Sequence, residues 1–145
     1  MDNYKDFLSL MGDKILAKTL KNKRLYFEVK NENILEVADH LFNKMGCRLS
    51  TATGQESYRG IEVLYHFSHD TTGNYYCIRV VMSDKKNPQM NSITPVVKGA
   101  EWIEREMAEM LGIFFNGHPN PEPLLTGNHP RNLTQPLRHR RNNNE

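Results

Sequence analysis

A chain of 145 residues, 38% hydrophobic and 25% charged, is long enough to bury one core and reads as a single globular domain over most of its length. Its net charge of +2 gives no general case for nucleic acid or anionic lipid as a partner. No apolar run approaches the roughly 20 residues of a membrane helix, and "MDNYKDFLSLMGDK" is too often interrupted by charge for a secretory signal. The expectation is a soluble chain that meets a membrane only through a partner. Cys47 and Cys77 are isolated, without a C-x-x-C, so neither a disulfide framework nor an iron–sulfur site is indicated, which suits a reducing cytoplasm.

From Tyr4 to Leu20 the residues Phe7, Leu8, Leu10, Met11, Ile15 and Leu16 recur at helical spacing, with an interruption at Gly12 and Asp13. "RLYFEVK" alternates Leu25, Phe27 and Val29 against Arg24, Tyr26 and Glu28, the pattern of a half-buried strand. "NENILEVADHLFNKMG" predicts a helix whose buried stripe is Ile34, Val37, Ala38, Leu41, Phe42 and Met45. Asn31 or Asn33 is its candidate N-cap and Gly46 its terminator. Three strands follow, "CRLSTATGQ", "GIEVLYHFS" and "NYYCIRVVM", the last two joined by the turn "HDTTGN". On the third, Tyr76, Ile78, Val80 and Met82 share one face. The order β-α-β-β-β-α predicts an α+β fold, a small antiparallel sheet with helices on one face followed by an extended C-terminal arm. Residues 1–125 form the domain with its arm, and 126–145 a polar, basic, flexible tail.

The last helix lies in "AEWIEREMAEMLGIFFNGHPNPEPLL". Trp102, Ile103, Met107, Met110 and Leu111 fall on one helical face, with Glu101, Glu104, Arg105 and Glu109 largely on the other. Glu101 and Arg105, four apart, are placed for an exposed ion pair of roughly 0.3–0.5 kcal/mol. Gly112 is positioned as a left-handed C-cap, letting Ile113 fold back on the last turn. After Phe114, Phe115 and Gly117, prolines at alternate positions from Pro119 to Pro123 stiffen an extended arm that ends at Leu124 and Leu125. Such an arm can wrap its own sheet or lie in a partner's groove, and both readings stay open.

The run Glu104-Arg105-Glu106, then Glu109, Met110-Leu111, Gly112-Ile113 and Gly117-His118-Pro119 resembles the signature of the thirty-kilodalton subunit of respiratory complex I, the NADH–quinone oxidoreductase. The same family occurs in energy-converting membrane-bound [NiFe] hydrogenases and formate hydrogenlyases. The resemblance spans about Ser92 to Leu125, with "SITP", Ala100 and Trp102 also fitting. It implies a non-catalytic scaffold subunit without redox cofactor, peripheral at the cytoplasmic face of the membrane. The expected partners are the large catalytic subunit, hydrogenase-like or quinone-site, and a neighbouring iron–sulfur subunit, with no nucleic acid. Iron–sulfur clusters and, in one branch, a [NiFe] centre belong to the parent complex.

Carried over, Glu104, Arg105, Glu106, His118 and Pro119 take the subunit-interface positions, while Trp102, Gly112, Ile113 and Gly117 shape the motif. The pattern departs at Glu122, where the family usually has a basic residue, and in "TGNHPRNLTQPL", which replaces an acidic–aromatic ending. That replacement and the short chain point to the hydrogenase-type branch.

Other constellations carry less. Glu104 and Glu106, two apart on a helix, point about 200° from each other and cannot flank one bond. His66 and His69 near Cys77 suggest zinc, but strand positions three apart face opposite ways, so solvated histidines are the better reading. A structural hydrogen bond is preferred for His118 over a proton-carrying role. The rival from another class is a stand-alone domain binding single-stranded RNA, with Tyr76 stacking on bases and the Arg138–Arg141 tail on phosphates.

Overall fold

The computed structural model describes residues 3–119. The expected boundary at 125/126, the arm from Asn120 onward and the basic tail lie outside the described residues.

Helix α1 (Asn3–Met11) stops where Gly12 and Asp13 interrupt the pattern. The helix expected to run on to Leu20 does not: residues Ile15–Lys21 form strand β1, which turns through Asn22 into β2 (Arg24–Val29). Asn22 has φ of 53°, a left-handed conformation that asparagine tolerates in a tight hairpin turn. Ile15 and Leu16 continue the helical spacing of α1 by coincidence, and pairing with β2 overrides it.

Helix α2 (Asn31–Asp39) continues through a wider turn, His40–Lys44, before Gly46 ends it at φ 74°. Its stripe is buried as expected, Ile34, Val37, Ala38 and Leu41 all being inaccessible. The N-cap differs. Lys30 takes that position without a side-chain bond, and the Asn31 Oδ1 instead accepts the Asn91 backbone N–H at 2.5 Å, tying the helix to a later strand. Strands β3 (Arg48–Ser57), β4 (Gly60–His69) and β5 (Asn74–Met82) follow as two successive hairpins.

The sheet runs β1-β2-β5-β4-β3 and is mixed rather than antiparallel, because β5 lies parallel to β2. Short turns fix the antiparallel neighbours, but β2 finds its second partner at a distance, chosen by matched apolar faces. Leu25 stands beside Tyr76 and Phe27 beside Ile78. The helices cover this face. Phe7 of α1 packs its ring 5.2 Å from both Phe27 and Tyr76, and the Tyr4 hydroxyl accepts the Tyr75 N–H and donates to the Lys23 carbonyl. The opposite face carries half-buried polar side chains and the ion pairs Arg59–Glu28 at 2.8 Å and Arg79–Glu62 at 3.1 Å.

After β5 come β6 (Gln89–Asn91), helix α3 (Glu101–Leu111) and β7 (Phe114–Asn116). The first residues of the expected arm are thus β7, which pairs in parallel with β6 and buries Phe115. Tyr76 is wholly buried among Tyr4 and Phe7, so it offers no ring for a base to stack on, and the RNA-binding reading loses its central residue.

Gly60 opens β4 with φ of 142°, and a Cβ there would run into the Met82 carbonyl oxygen. A Gly60→Ala change is expected to destabilise the chain by roughly 2–3 kcal/mol in urea titrations. Gly12→Ala, with open space around it and no left-handed backbone, is expected to stay within about 0.5 kcal/mol of the parent.

Candidate functional site

Helix α3 follows a short 3-10 turn, Lys98–Ala100, and ends at Gly112, whose φ of 76° and N–H bond to the Ala108 carbonyl make the left-handed cap expected there. The buried face of α3 differs from the one read from hydrophobicity. Ala100, Glu104, Arg105, Met107 and Leu111 are buried, whereas Trp102 is 60% exposed. Met107 and Leu111 reach the sheet beside Gly54 of β3.

Glu104 therefore points inward, with no exposed surface. Its Oε1 accepts the Ser92 hydroxyl at 2.5 Å and the Thr94 hydroxyl at 2.7 Å. Its Oε2 accepts the Tyr65 hydroxyl at 2.6 Å and the Ile93 backbone N–H at 3.0 Å. A carboxylate removed from water demands such donors, and four of them surround it. Burial, reinforced by the charge and hydrogen bond of Glu104, holds the Tyr65 hydroxyl well above its usual ionisation range. The interface role expected of Glu104 is thus corrected: in this chain the side chain is an internal tie between α3, β4 and the Ser92–Thr94 segment.

The other motif residues gather outside that tie. The Arg105 guanidinium lies over the Trp102 ring at 5.0 Å from its centroid, in place of the exposed pair with Glu101. His118 Nε2 donates to the Glu101 carbonyl at 2.9 Å and ties the chain beyond β7 to the start of α3, a structural hydrogen bond. Glu104, Arg105, Gly112, Ile113, Phe114 and His118 help to line one hollow of about 290 Å³. Phe114, 59% exposed, stands at the surface beside this hollow, and Trp102, in the first turn of α3, is exposed next to Arg105. Glu106, Gly117 and Pro119 are exposed, Gly117 with φ of 84°. Spacing alone missed Phe114 as a surface residue. The missed signal for Glu104 was the "SIT" segment, whose hydroxyls await an acceptor.

Among the described residues no group of three or more His, Cys, Asp or Glu side chains is placed to hold a metal. His66 stands directly opposite Cys77, and His69 Nδ1 lies 2.7 Å from the Thr72 hydroxyl. Burial pushes the Cys47 thiol up to about 12 and the Cys77 thiol up to about 11, so both stay protonated near neutrality.

Two measurements test this arrangement. Glu104→Ala strands four donors and is expected to cost about 3 kcal/mol or more by chemical denaturation. Glu104→Gln is expected to cost clearly less, since its NH₂ can face the Ser92 and Thr94 hydroxyls, which can turn to accept. The thiols set the alkaline limit. They ionise near 9.0 when unfolded but only near 11–12 when folded, so their stabilising contribution is whole below pH 9 and is lost as pH rises toward 12. The urea midpoint is expected to fall from pH 9 upward, and thiol reagents at pH 8 to label both cysteines only upon unfolding.

With this geometry in place, the chain can be set beside known proteins. The sequence model of the family described as the 30 kDa subunit of respiratory-chain NADH dehydrogenase matches residues 27–144. An NADH-quinone oxidoreductase subunit from Roseobacter denitrificans is 31% identical over 119 residues, 79% of this chain and 60% of that protein. The equivalent subunit of a Roseiflexus species is 34% identical over 122 residues, 79% of this chain and 69% of the relative. The chain thus spans about 60% of the length of several curated relatives it matches. Two solved structures share the fold. A trypsin-resistant fragment of Nqo5 superposes with a TM-score of 0.68 at 20% identity, covering 83% of this chain and 99% of the fragment. A chain of an archaeal membrane-bound sulfane sulfur reductase, a respiratory membrane complex, gives 0.71 at 19%, covering 93% of this chain and 77% of that one. The buried acid, its Ser92–Thr94 cradle and the Gly112-to-His118 return all lie within the matched segment, and this chain belongs to the family of the 30 kDa subunit of respiratory-chain NADH dehydrogenase.

Proposed function

We propose that the chain is a non-catalytic scaffold subunit in the peripheral arm of a complex I-like, membrane-attached oxidoreductase. One observation carries the reading. The motif spends its buried acid on holding α3 in place, and leaves Trp102, whose ring packs on the buried Arg105, together with Phe114 and a hollow exposed along α3 and β7. Aromatic side chains and arginine are the residues most often found at the centre of protein interfaces, and among the described residues nothing on this surface has the geometry of a nucleophile or an acid–base pair.

The partner that suits this surface is the large catalytic subunit, hydrogenase-like or quinone-site, with an iron–sulfur subunit nearby. Glu106, His118 and Pro119 extend the contact around Trp102 and Arg105. Iron–sulfur clusters, and a [NiFe] centre in the hydrogenase branch, belong to those partners. The replacement of the acidic–aromatic ending by "TGNHPRNLTQPL" favours the hydrogenase-type branch. No helix among the described residues is long and apolar enough to cross a membrane, which accords with attachment through partners at the cytoplasmic face.

The test is affinity purification of the tagged chain from its host's membranes in mild detergent, with the eluate assayed for hydrogen-dependent and NADH-dependent electron transfer. Recovery of a large [NiFe]-type subunit with hydrogen activity is expected; a quinone-site subunit with quinone reduction would choose the other branch. Trp102→Ala, at a site exposed in the isolated chain, is expected to leave its melting unchanged while reducing partner recovery about tenfold or more. A chain that comes off its membranes alone would sink the reading, and full recovery with Trp102→Ala would remove this surface as the contact.

A further inference from the structure

Six large apolar side chains among the described residues are more than half exposed. Trp102 and Phe114 belong to the site above. Leu10 borders a hollow with His40, Met45 and His69, and Tyr58 lies in the β3–β4 turn, whereas Leu16 and Leu20 belong to a separate flank made by β1. Strand β1 closes the sheet on that side: β2 pairs with one edge, and among the described residues no strand takes the other. Every residue of β1 after Ile15 is exposed. Lys18 stands opposite Phe27 and Leu20 opposite Leu25, so both share the helix-bearing face. The helices bury Leu25 and Phe27 but stop short of Leu20. From Lys14 to Arg24 the charges are Lys14, Lys18, Lys21, Lys23 and Arg24, without one acid.

We propose that the open edge of β1 receives an extended, acidic segment of a neighbouring subunit as a sixth strand. Its backbone completes the unpaired edge, its apolar side chains cover Leu16 and Leu20, and its carboxylates meet Lys18 and Lys21. A second copy of this chain suits the edge poorly. Antiparallel pairing about the centre of β1 would set Lys18 against Lys18, and like charges directly opposite are unfavourable. An anionic bilayer would satisfy the lysines and leucines but leave the edge N–H and C=O groups without partners, which lipid does not tolerate. The proposal rests on the chain being a subunit, and concerns a surface separate from Trp102.

The experiment compares hydrogen exchange in the tagged full chain expressed alone with exchange in the assembly purified from host membranes, adding carbodiimide cross-linking of lysines to carboxylates. Amides of residues 15–21 are expected to exchange about tenfold or more slowly in the assembly. Lys18 or Lys21 is expected to cross-link to an Asp or Glu of another subunit. The Lys18→Glu/Lys21→Glu double variant should lose both signals while the isolated chain melts unchanged. Partners recovered with β1 exchanging equally in both forms would overturn this proposal and leave the subunit reading intact. A chain recovered alone would overturn both. Protection that appears in the isolated chain and grows with its concentration would mean a second copy, and protection conferred by phosphatidylglycerol vesicles but not by the assembly would mean lipid. Either would overturn the acidic strand.

Discussion

The carboxylate of Glu104 is the contact on which the functional end of this molecule depends. It is inaccessible to solvent, and its oxygens take hydrogen bonds from β4, from two hydroxyls and from a backbone amide of the Ser92–Thr94 segment. Burying an isolated carboxylate is prohibitive, so the donors and the helix that carries the acid must come together in one arrangement. That requirement fixes the rotation and position of α3 against the sheet. Everything the motif presents outward follows from it, including the side on which Trp102 stands. A polar tie of this kind holds a surface more specifically than apolar packing, because a small rotation of the helix would strand several donors at once.

The sheet supplies the frame for that tie. Its parallel step between β2 and β5 sets the apolar faces of the two strands side by side, and α1 and α2 close over them. Tyr65, on the covered face of β4, reaches Glu104 from beneath. The return of the chain through β7 is anchored at both ends. Parallel pairing with β6 holds Phe115 in the core, and His118 bonds back to the first residue of α3. Phe114, just before Phe115, faces outward. Two successive residues of a three-residue strand thus divide between core and surface, the ordinary consequence of strand geometry.

The division of labour accords with a scaffold subunit. The chain spends the buried acid Glu104 on architecture, its cysteines are covered, and four of its exposed apolar groups fall on two surfaces. Trp102 and Phe114 flank the motif, and Leu16 and Leu20 stand on the open flank of β1. A subunit that joins neighbours without chemistry of its own has this profile, with strong internal ties behind modest surface features.

Local signals in the sequence were sufficient for β2 to β5, for the stripe of α2 and for the caps at Gly46 and Gly112, because alternation, helical spacing and turn residues act over a few positions. The motif itself was legible as a string of residue types. Contacts at long range were decided only in three dimensions. Ile15 and Leu16 continued a helical spacing until β2 drew them into a strand. Asn31 looked like a cap until Asn91 claimed its side chain. Glu104 and Trp102 exchanged faces, because hydropathy places an acid outside and a tryptophan inside unless buried donors exist to receive the acid. The sequence by itself determined α2, β2 to β5 and the caps at Gly46 and Gly112, through interactions between near neighbours. Only the tertiary structure decided which charge is buried and which ring is exposed, since both depend on hydroxyls and amides brought together from distant parts of the chain.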